Sequence, residues 1–271
     1  MGYAETANSK PALQPKEGST SEPSAGWSYL WKAGKLMLGA ALVPACAGFS
    51  IGWYNYFFNL TNRLKIGMIG WPDEVRWLMG GVFTFSVLAI FLWRPVVIYV
   101  FAHEVVHAIA GWMCLARVSN LSASASGGQV TTSKTNTFIR LAPYFVPFYT
   151  LLGIGIFALA DAFGRPLFGG GSDHHHALAW MLGFTMAFHV GFTLWSLRRD
   201  QPDLKPDGWL FSLVLIYIAN IFVLSAVLGL ALKCNYQGTW EAVQGVAQLG
   251  WQETCGAYHS VENVIRRAFN A

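Results

Sequence analysis

Two histidines and a glutamate stand close together in a run of otherwise apolar residues. His103, Glu104 and His107 lie in the segment RPVVIYVFAHEVVHAIAGWM. Residues four apart share one face of a helix, so both imidazoles can point at one metal ion. Glu104 follows the first histidine and can act as general base towards a water molecule at the metal. The spacing therefore predicts an HExxH zinc site, with Zn²⁺ as the cofactor.

The apolar surroundings of the motif favour this interpretation. Placing a glutamate near the bilayer interior costs at least ~2.5 kcal/mol on insertion scales, and ionisable groups kept there usually serve a function. The alternative is an inert polar cluster whose members satisfy one another. The ligand spacing and the membrane cost together favour metal binding over that alternative.

A catalytic zinc site needs a third protein ligand, with the fourth position left for water. The loop before the last apolar run offers Asp203 and Asp207. Asp207 precedes Gly208 at a helix start, where a carboxylate can also serve as a simple N-cap. His189, within TMAFHVGFTLW, is a further candidate as a ligand, as a donor to substrate or as a contact between helices. The choice between the two aspartates stays open at this point.

The composition indicates which elements must position these residues. Of 271 residues, 54% are hydrophobic and 12% are charged, whereas a soluble domain usually carries about 25% charged residues. This excludes a soluble enzyme and predicts an all-α polytopic membrane protein, integral and multi-pass. No run of Lys and Arg suggests nucleic-acid binding. Six apolar runs of spanning length are expected at about 36–59, 76–93, 95–115, 138–163, 177–197 and 209–232.

The remaining segments divide the chain. Residues 1–26 are polar and predict a disordered N-terminus, 27–94 hold N-terminal membrane helices, 95–232 form a metalloprotease-like core, and 233–271 form a C-terminal tail with an amphipathic helix near 258–269. The polar stretch 116–137 predicts a short β-like hairpin after the HExxH helix, and the histidine run 174–176 a flexible connector. Lys and Arg divide equally between the two sides, so the positive-inside rule predicts no orientation.

A transmembrane helix with FAHEVVHA, followed by ARVSNLSAS and then Gly127-Gly128, resembles the site-2 protease family of intramembrane zinc metalloproteases. The resemblance covers about residues 95–230. It implies that the Gly-Gly segment clamps substrate and that an Asp before a Gly is the third ligand, as in Pro206-Asp207-Gly208, with Asp203 beside it. The family's carbonyl-polarising Asn after the Gly-Gly segment has no counterpart in LAPYFVP, and His189 or Asn220 could substitute for it.

The resemblance implies a membrane-embedded zinc endopeptidase whose partners are the lipid bilayer and a transmembrane segment of a substrate protein. Two alternatives remain. A catalytically inactive, metal-binding membrane scaffold would account for the missing Asn. A small ion transporter would also place His and Glu inside the membrane, although the chain shows no internal repeat of the kind that many transporters have.

Overall fold

The computed structural model describes residues 25–63, 72–91, 95–124, 127–199, 201–233 and 236–269. The predicted fold class is confirmed: the protein is an all-α polytopic membrane protein with one small β-hairpin. The polar N-terminus predicted for residues 1–26 lies outside the described residues, apart from 25 and 26, with which the first helix begins. In chain order the elements are α1 (Ala25–Arg63), α2 (Asp73–Phe91), α3 (Val96–Met113), β1 (Val118–Ser124), β2 (Gly127–Thr132), α4 (Thr137–Leu141), α5 (Phe148–Ala162), α6 (Gly171–Leu197), α7 (Trp209–Lys233) and α8 (Tyr236–Phe269).

Among the described residues, five helices are long and apolar enough to cross a membrane, namely α1, α2, α3, α6 and α7. The predicted run 138–163 is instead a bent pair, in which residues 137–144 meet α5 at 74°. Pro143 and Pro147 fall in this bend, and a proline removes the backbone donor that would continue a helix. The pair makes a sixth span if its two parts count as one, so the structure is compatible with a multi-pass membrane protein.

Residues 95–143 form one compact unit, which contains α3, the hairpin and α4. The hairpin is antiparallel, and its register pairs Val118 with Thr132 and Ser124 with Gly127. It packs on α3 at Gly111, where an added Cβ would lie 3.2 Å from a Val118 methyl carbon. The hairpin predicted for 116–137 is therefore present, and a buried Val130 fixes one of its faces in the core of the unit.

The other unit comprises the described residues before 95 and from 144 onwards. Its helices α2 and α6 approach closely through small residues. A Cβ at Gly81 would lie 2.0 Å from the Trp180 carbonyl oxygen, and one at Gly183 would lie 2.0 Å from the Leu78 carbonyl oxygen. Small residues let helix backbones meet in this way where lipid supplies no hydrophobic driving force. Leu182, fully buried, packs in the core beside this contact.

The C-terminal segment differs from the expectation of a mixed tail with one short helix. It forms α8, a helix of 34 residues that packs against α1 and α7. Its buried positions recur every four residues, at Ala242, Val246, Gly250 and Thr254, so they share one face. A Cβ at Gly52 of α1 would lie 2.3 Å from the Gly250 backbone nitrogen. Small residues on one face and polar residues on the other explain a helix that a search for apolar runs does not find.

The histidine run at 174–176 lies in the first turns of α6, so the prediction of a flexible connector there is wrong. His174 is buried, and its Nε2 lies 3.2 Å from Asp161 Oδ1. Its Nδ1 lies 3.2 Å from the carbonyl oxygen of Leu167. These contacts join the start of α6 to the end of α5 and to the turn between them.

Candidate metal centre

Helix α3 carries the three residues of the motif within about one helical turn. The ring centroids of His103 and His107 lie 4.8 Å apart, as expected for residues one helical turn apart on the same face. Glu104 and His107 are buried, with 8% and 4% of their surfaces exposed. A carboxylate is costly to bury without a counter-charge or hydrogen bonds. The motif therefore occupies a protected position rather than a lipid-facing one.

The ring of His107 is oriented by a backbone carbonyl group. Its Nδ1 lies 2.7 Å from the carbonyl oxygen of Ile139 in α4. A carbonyl oxygen can only accept, so Nδ1 carries the proton and Nε2 keeps its lone pair for a metal. The Ile139 N–H donates in turn to the Asn136 side chain at 2.8 Å, which caps α4. The short helix α4 thus fixes the tautomer that a metal ligand requires.

The second glycine of the Gly-Gly pair lies against the glutamate of the motif. A Cβ added at Gly128 would lie 2.4 Å from Glu104 Cγ and 2.6 Å from Glu104 Oε1. Any side chain at 128 would therefore displace the carboxylate or the strand. The absence of a side chain lets β2 run directly beside the predicted general base, which gives a physical reason for glycine at this position.

Asp203 and Asp207 have different surroundings. Asp203 is buried, and its Oδ2 accepts a hydrogen bond of 3.0 Å from the Tyr144 hydroxyl group. Asp207 is also buried, but it forms an ion pair and hydrogen bond with Lys35 of α1. A buried carboxylate that faces an ammonium group is already neutralised. These contacts favour Asp203 as a ligand and give Asp207 a structural role just before the start of α7.

His103, His107 and Asp203 each offer one ligand atom, and these atoms lie within 4.8 Å of one another. Two imidazoles and a carboxylate are ligand types found in catalytic zinc sites with an open fourth position. This cluster is able to hold a metal ion. The resemblance implied that Asp207, directly before Gly208, supplies the third ligand. The cluster instead includes Asp203, and Lys35 pairs with Asp207.

Asn220 and His189, the two residues predicted to polarise a substrate carbonyl group, lie on different helices. Asn220 of α7 donates through Nδ2 to the carbonyl oxygens of Tyr144, at 2.9 Å, and Ile216, at 2.8 Å. Both amide hydrogens are thereby used, so the side chain offers no further N–H to an oxyanion. His189 is buried on α6, and its role stays a prediction.

Sequence reasoning missed three residues that hold the site. Tyr144 orients Asp203, Lys35 engages Asp207, and Asn136 caps the helix whose carbonyl group meets His107. Lys35 stands at the edge of a long apolar run, where a charged residue can indicate a buried partner. The partners of Tyr144 and Asn136 are set by tertiary contacts, for which one sequence carries no signal.

Comparisons with models of protein families, with curated proteins and with solved structures give no match for this chain.

Proposed function

We propose that this protein is an intramembrane zinc metalloprotease that hydrolyses peptide bonds in or near the transmembrane segments of other membrane proteins. The observation that carries the proposal is the cluster of His103, His107 and Asp203, whose ligand atoms lie within 4.8 Å of one another. A buried glutamate follows the first of these histidines on the same helix. Two imidazoles, one carboxylate and an adjacent glutamate make up the HExxH metallopeptidase pattern.

The donor atoms fit zinc. His103, His107 and Asp203 would hold the ion, which when bound would supply a Lewis acid for a carbonyl group and make a nearby water molecule more acidic. Glu104 acts as the general base that removes the proton from the attacking water. The same carboxyl group then returns the proton to the nitrogen of the departing amine. Tyr144 keeps the carboxylate of Asp203 oriented through its hydroxyl group.

The hairpin supplies a place for the substrate backbone. β2 pairs with β1 along one edge, and an extended peptide that adds to a strand gains main-chain hydrogen bonds. A regular helix has its carbonyl groups already bonded, so the substrate segment has to unwind before it can be cut. Gly127 and Gly128 add no side chain to β2, which brings such a peptide close to Glu104. We assign them to the substrate clamp.

The proposal is tested with a Glu104→Gln variant of the full chain. Wild-type and variant proteins are expressed in cells at equal levels, and new peptide termini in membrane proteins are identified by mass spectrometry. We expect termini within or beside transmembrane segments that appear with the wild type and are lost with Glu104→Gln. Zinc measured on both purified proteins should stay equal, because Glu104 is not a ligand. Glu253→Gln, an exposed change of the same kind on α8, is the matched control.

The same experiment separates the peptidase from an inactive, metal-binding membrane scaffold. The observation in favour of the scaffold is Asn220, which donates both amide hydrogens to backbone carbonyl groups and so leaves the carbonyl-polarising group to other residues. Stoichiometric zinc in the wild type, together with identical peptide termini in wild type and Glu104→Gln, would establish the scaffold and refute the peptidase.

A further inference from the structure

Helix α8 lies beside two candidate membrane spans, α1 and α7, although it is not apolar enough to be one itself. Three contacts spread along α8 fix its position, namely Tyr258 with Ala41 of α1, Gly250 with Gly52 of α1, and Gly238 with Gly229 of α7. The order of these contacts makes α8 antiparallel to α1. All three partner residues lie inside the candidate spans, so residues 238–258 of α8 lie at the depth of the hydrocarbon region.

One side of α8 presents glutamine and tryptophan side chains outwards. We call these residues the outer stripe of α8; they are Gln237, Trp240, Gln244, Gln248 and Trp251, all of them exposed. Successive members are three or four residues apart, so they share one side of the helix. The two tryptophan residues have 62% and 63% of their surfaces exposed. The small residues that pack on α1 and α7 occupy another side of α8.

Hydrocarbon is an unfavourable environment for the amides of the outer stripe. A glutamine side chain carries two N–H donors and a carbonyl acceptor, and lipid tails offer no partner for them, so exposing the group to lipid costs free energy. Gln237 meets part of its need by donating to Glu241 at 3.0 Å. Gln244 and Gln248 lie further into the membrane. In membrane proteins, glutamine side chains form hydrogen bonds between helices, so the stripe indicates contact with another transmembrane helix.

The chemistry of the outer stripe favours a second copy of this chain as the partner. The stripe contains no charged residue, and a carboxamide both donates and accepts, so the same group on a copy is its complement. Two copies inserted in the same direction are related by a twofold axis along the membrane normal, so their α8 helices are parallel and equal residues meet. An asparagine at the seam of a parallel helix dimer fixes the pairing of two copies in a comparable way.

The charged residues near the stripe are compatible with this pairing. Glu241 is half-buried, and its carboxylate accepts the hydrogen bond from Gln237 of its own helix. Glu253 is exposed, but it follows Gln248 by five residues and so lies on another side of α8. Neither carboxylate is therefore placed to face its own copy across the twofold axis without a partner or at close range.

We propose that this protein forms a parallel homodimer in the membrane through the outer stripe of α8. The amides of Gln244 and Gln248 pair with the same residues of the second copy. Trp240 and Trp251 supply large side chains of the kind on which interface energies often depend. The stripe belongs to the unit without the HExxH helix and includes no residue of the candidate metal centre, so the dimer does not depend on the proposed function.

Cysteine cross-linking of the full chain tests which surface meets the copy. The four natural cysteines are changed to alanine, one cysteine is introduced, and the protein is oxidised in liposomes. We expect Gln244→Cys and Gln248→Cys to give disulfide-linked dimers that persist as more lipid is added. Phe83→Cys on α2, also at an exposed position of a candidate span (70%), is the control and should give only the collisional background that lipid dilution removes.

Energy transfer between donor-labelled and acceptor-labelled copies in liposomes measures the strength of the association. Gln244→Leu combined with Gln248→Leu removes the amides but keeps side chains of similar size and high helix propensity. We expect association to weaken about tenfold, equivalent to about 1.4 kcal/mol, because hydrogen bonds between the helices are lost. Glu253→Gln, which adds an amide away from the stripe, is the matched control and should leave association unchanged.

Three results would overturn the proposal. The first is cross-linking of Gln244→Cys and Gln248→Cys no greater than that of Phe83→Cys, which needs no variant that perturbs folding because both positions are exposed. The second is equal or stronger association of the leucine variant, since stronger association would mean that water and not lipid surrounds the stripe. The third is cross-linking of both cysteines to a different membrane protein in cells and not to a copy.

Discussion

The close approach of β2 to the predicted general base makes Gly128→Ala a sharp test of the site. The new Cβ would lie 2.4 Å from Glu104 Cγ, about 1 Å short of the 3.4 Å at which ordinary van der Waals contact begins. The Glu104 side chain is the flexible partner in this contact, so we expect its carboxylate to shift by about that distance. A misplacement of 1 Å in an active site can lower the rate about 100-fold. We therefore expect kcat to fall about 100-fold.

The assay measures cleavage of a membrane-protein substrate identified from the new termini, with the purified full chain in detergent. Bound zinc should stay at the wild-type level, because the three atoms nearest to the new methyl group all belong to Glu104, which is not among the proposed ligands. Gly155→Ala in α5, where no atom lies within 4 Å of the added carbon, is the matched control and should keep full activity.

A double variant tests whether Gly128→Ala lowers the rate by displacing Glu104. If the alanine acts by displacing Glu104, then Gly128→Ala should cost nothing further in a chain that already carries Glu104→Gln, because residues that act as a unit are non-additive. Wild-type kcat in a folded, zinc-loaded Gly128→Ala protein would refute the role assigned to Glu104. A further 100-fold loss in the double variant would show that β2 acts on catalysis by another route.

Three other predictions follow from the contacts around the site and in the helix bundle. Tyr144→Phe removes the hydroxyl group that orients the third ligand and should weaken zinc binding about 10–100-fold, measured by competition with a chelator; unchanged affinity would count against the assignment. Asp207→Asn leaves Lys35 partly buried without its counter-charge and should cost about 3–5 kcal/mol of stability, seen as a lower thermal midpoint that changing Lys35 to Met partly restores. Gly52→Ala places a carbon 2.3 Å from the α8 backbone and should lower the thermal midpoint, whereas Gly256→Ala, with open space around it, should not.

The spans and the HExxH residues could be predicted because their signals are local. A run of about 20 apolar residues is enough to indicate a spanning helix, and four residues of spacing are enough to place two imidazoles on one face. The helix α8 gives no such signal, because its buried face is made of small residues such as Ala242 and Gly250. The position of α8 depends on glycines of α1 that lie against it, and the sequence of α8 alone does not indicate them.

The preference for Asp203 over Asp207 as the candidate third ligand could not be predicted, for the same reason. Asp203 and Asp207 lie four residues apart in one loop, and their residue types give no preference. What separates them is a hydroxyl group from Tyr144 on one side and an ammonium group from Lys35 on the other. Both partners are distant in sequence, so only the tertiary structure shows which carboxylate pairs with Lys35 and which accepts a hydrogen bond from Tyr144.

The charges of the side chains indicate what kind of species the cluster of His103, His107 and Asp203 would bind. His103 and His107 bind a metal only as neutral imidazoles, and Glu104 and Asp203 act only as carboxylates, so the functional form of the site carries two negative charges. Holding two carboxylates away from water is unfavourable unless a cation balances them. Lys35 pairs with Asp207. In the proposed site, a divalent cation bound by His103, His107 and Asp203 would add two positive charges, which a water molecule or a neutral ligand in the same place would not.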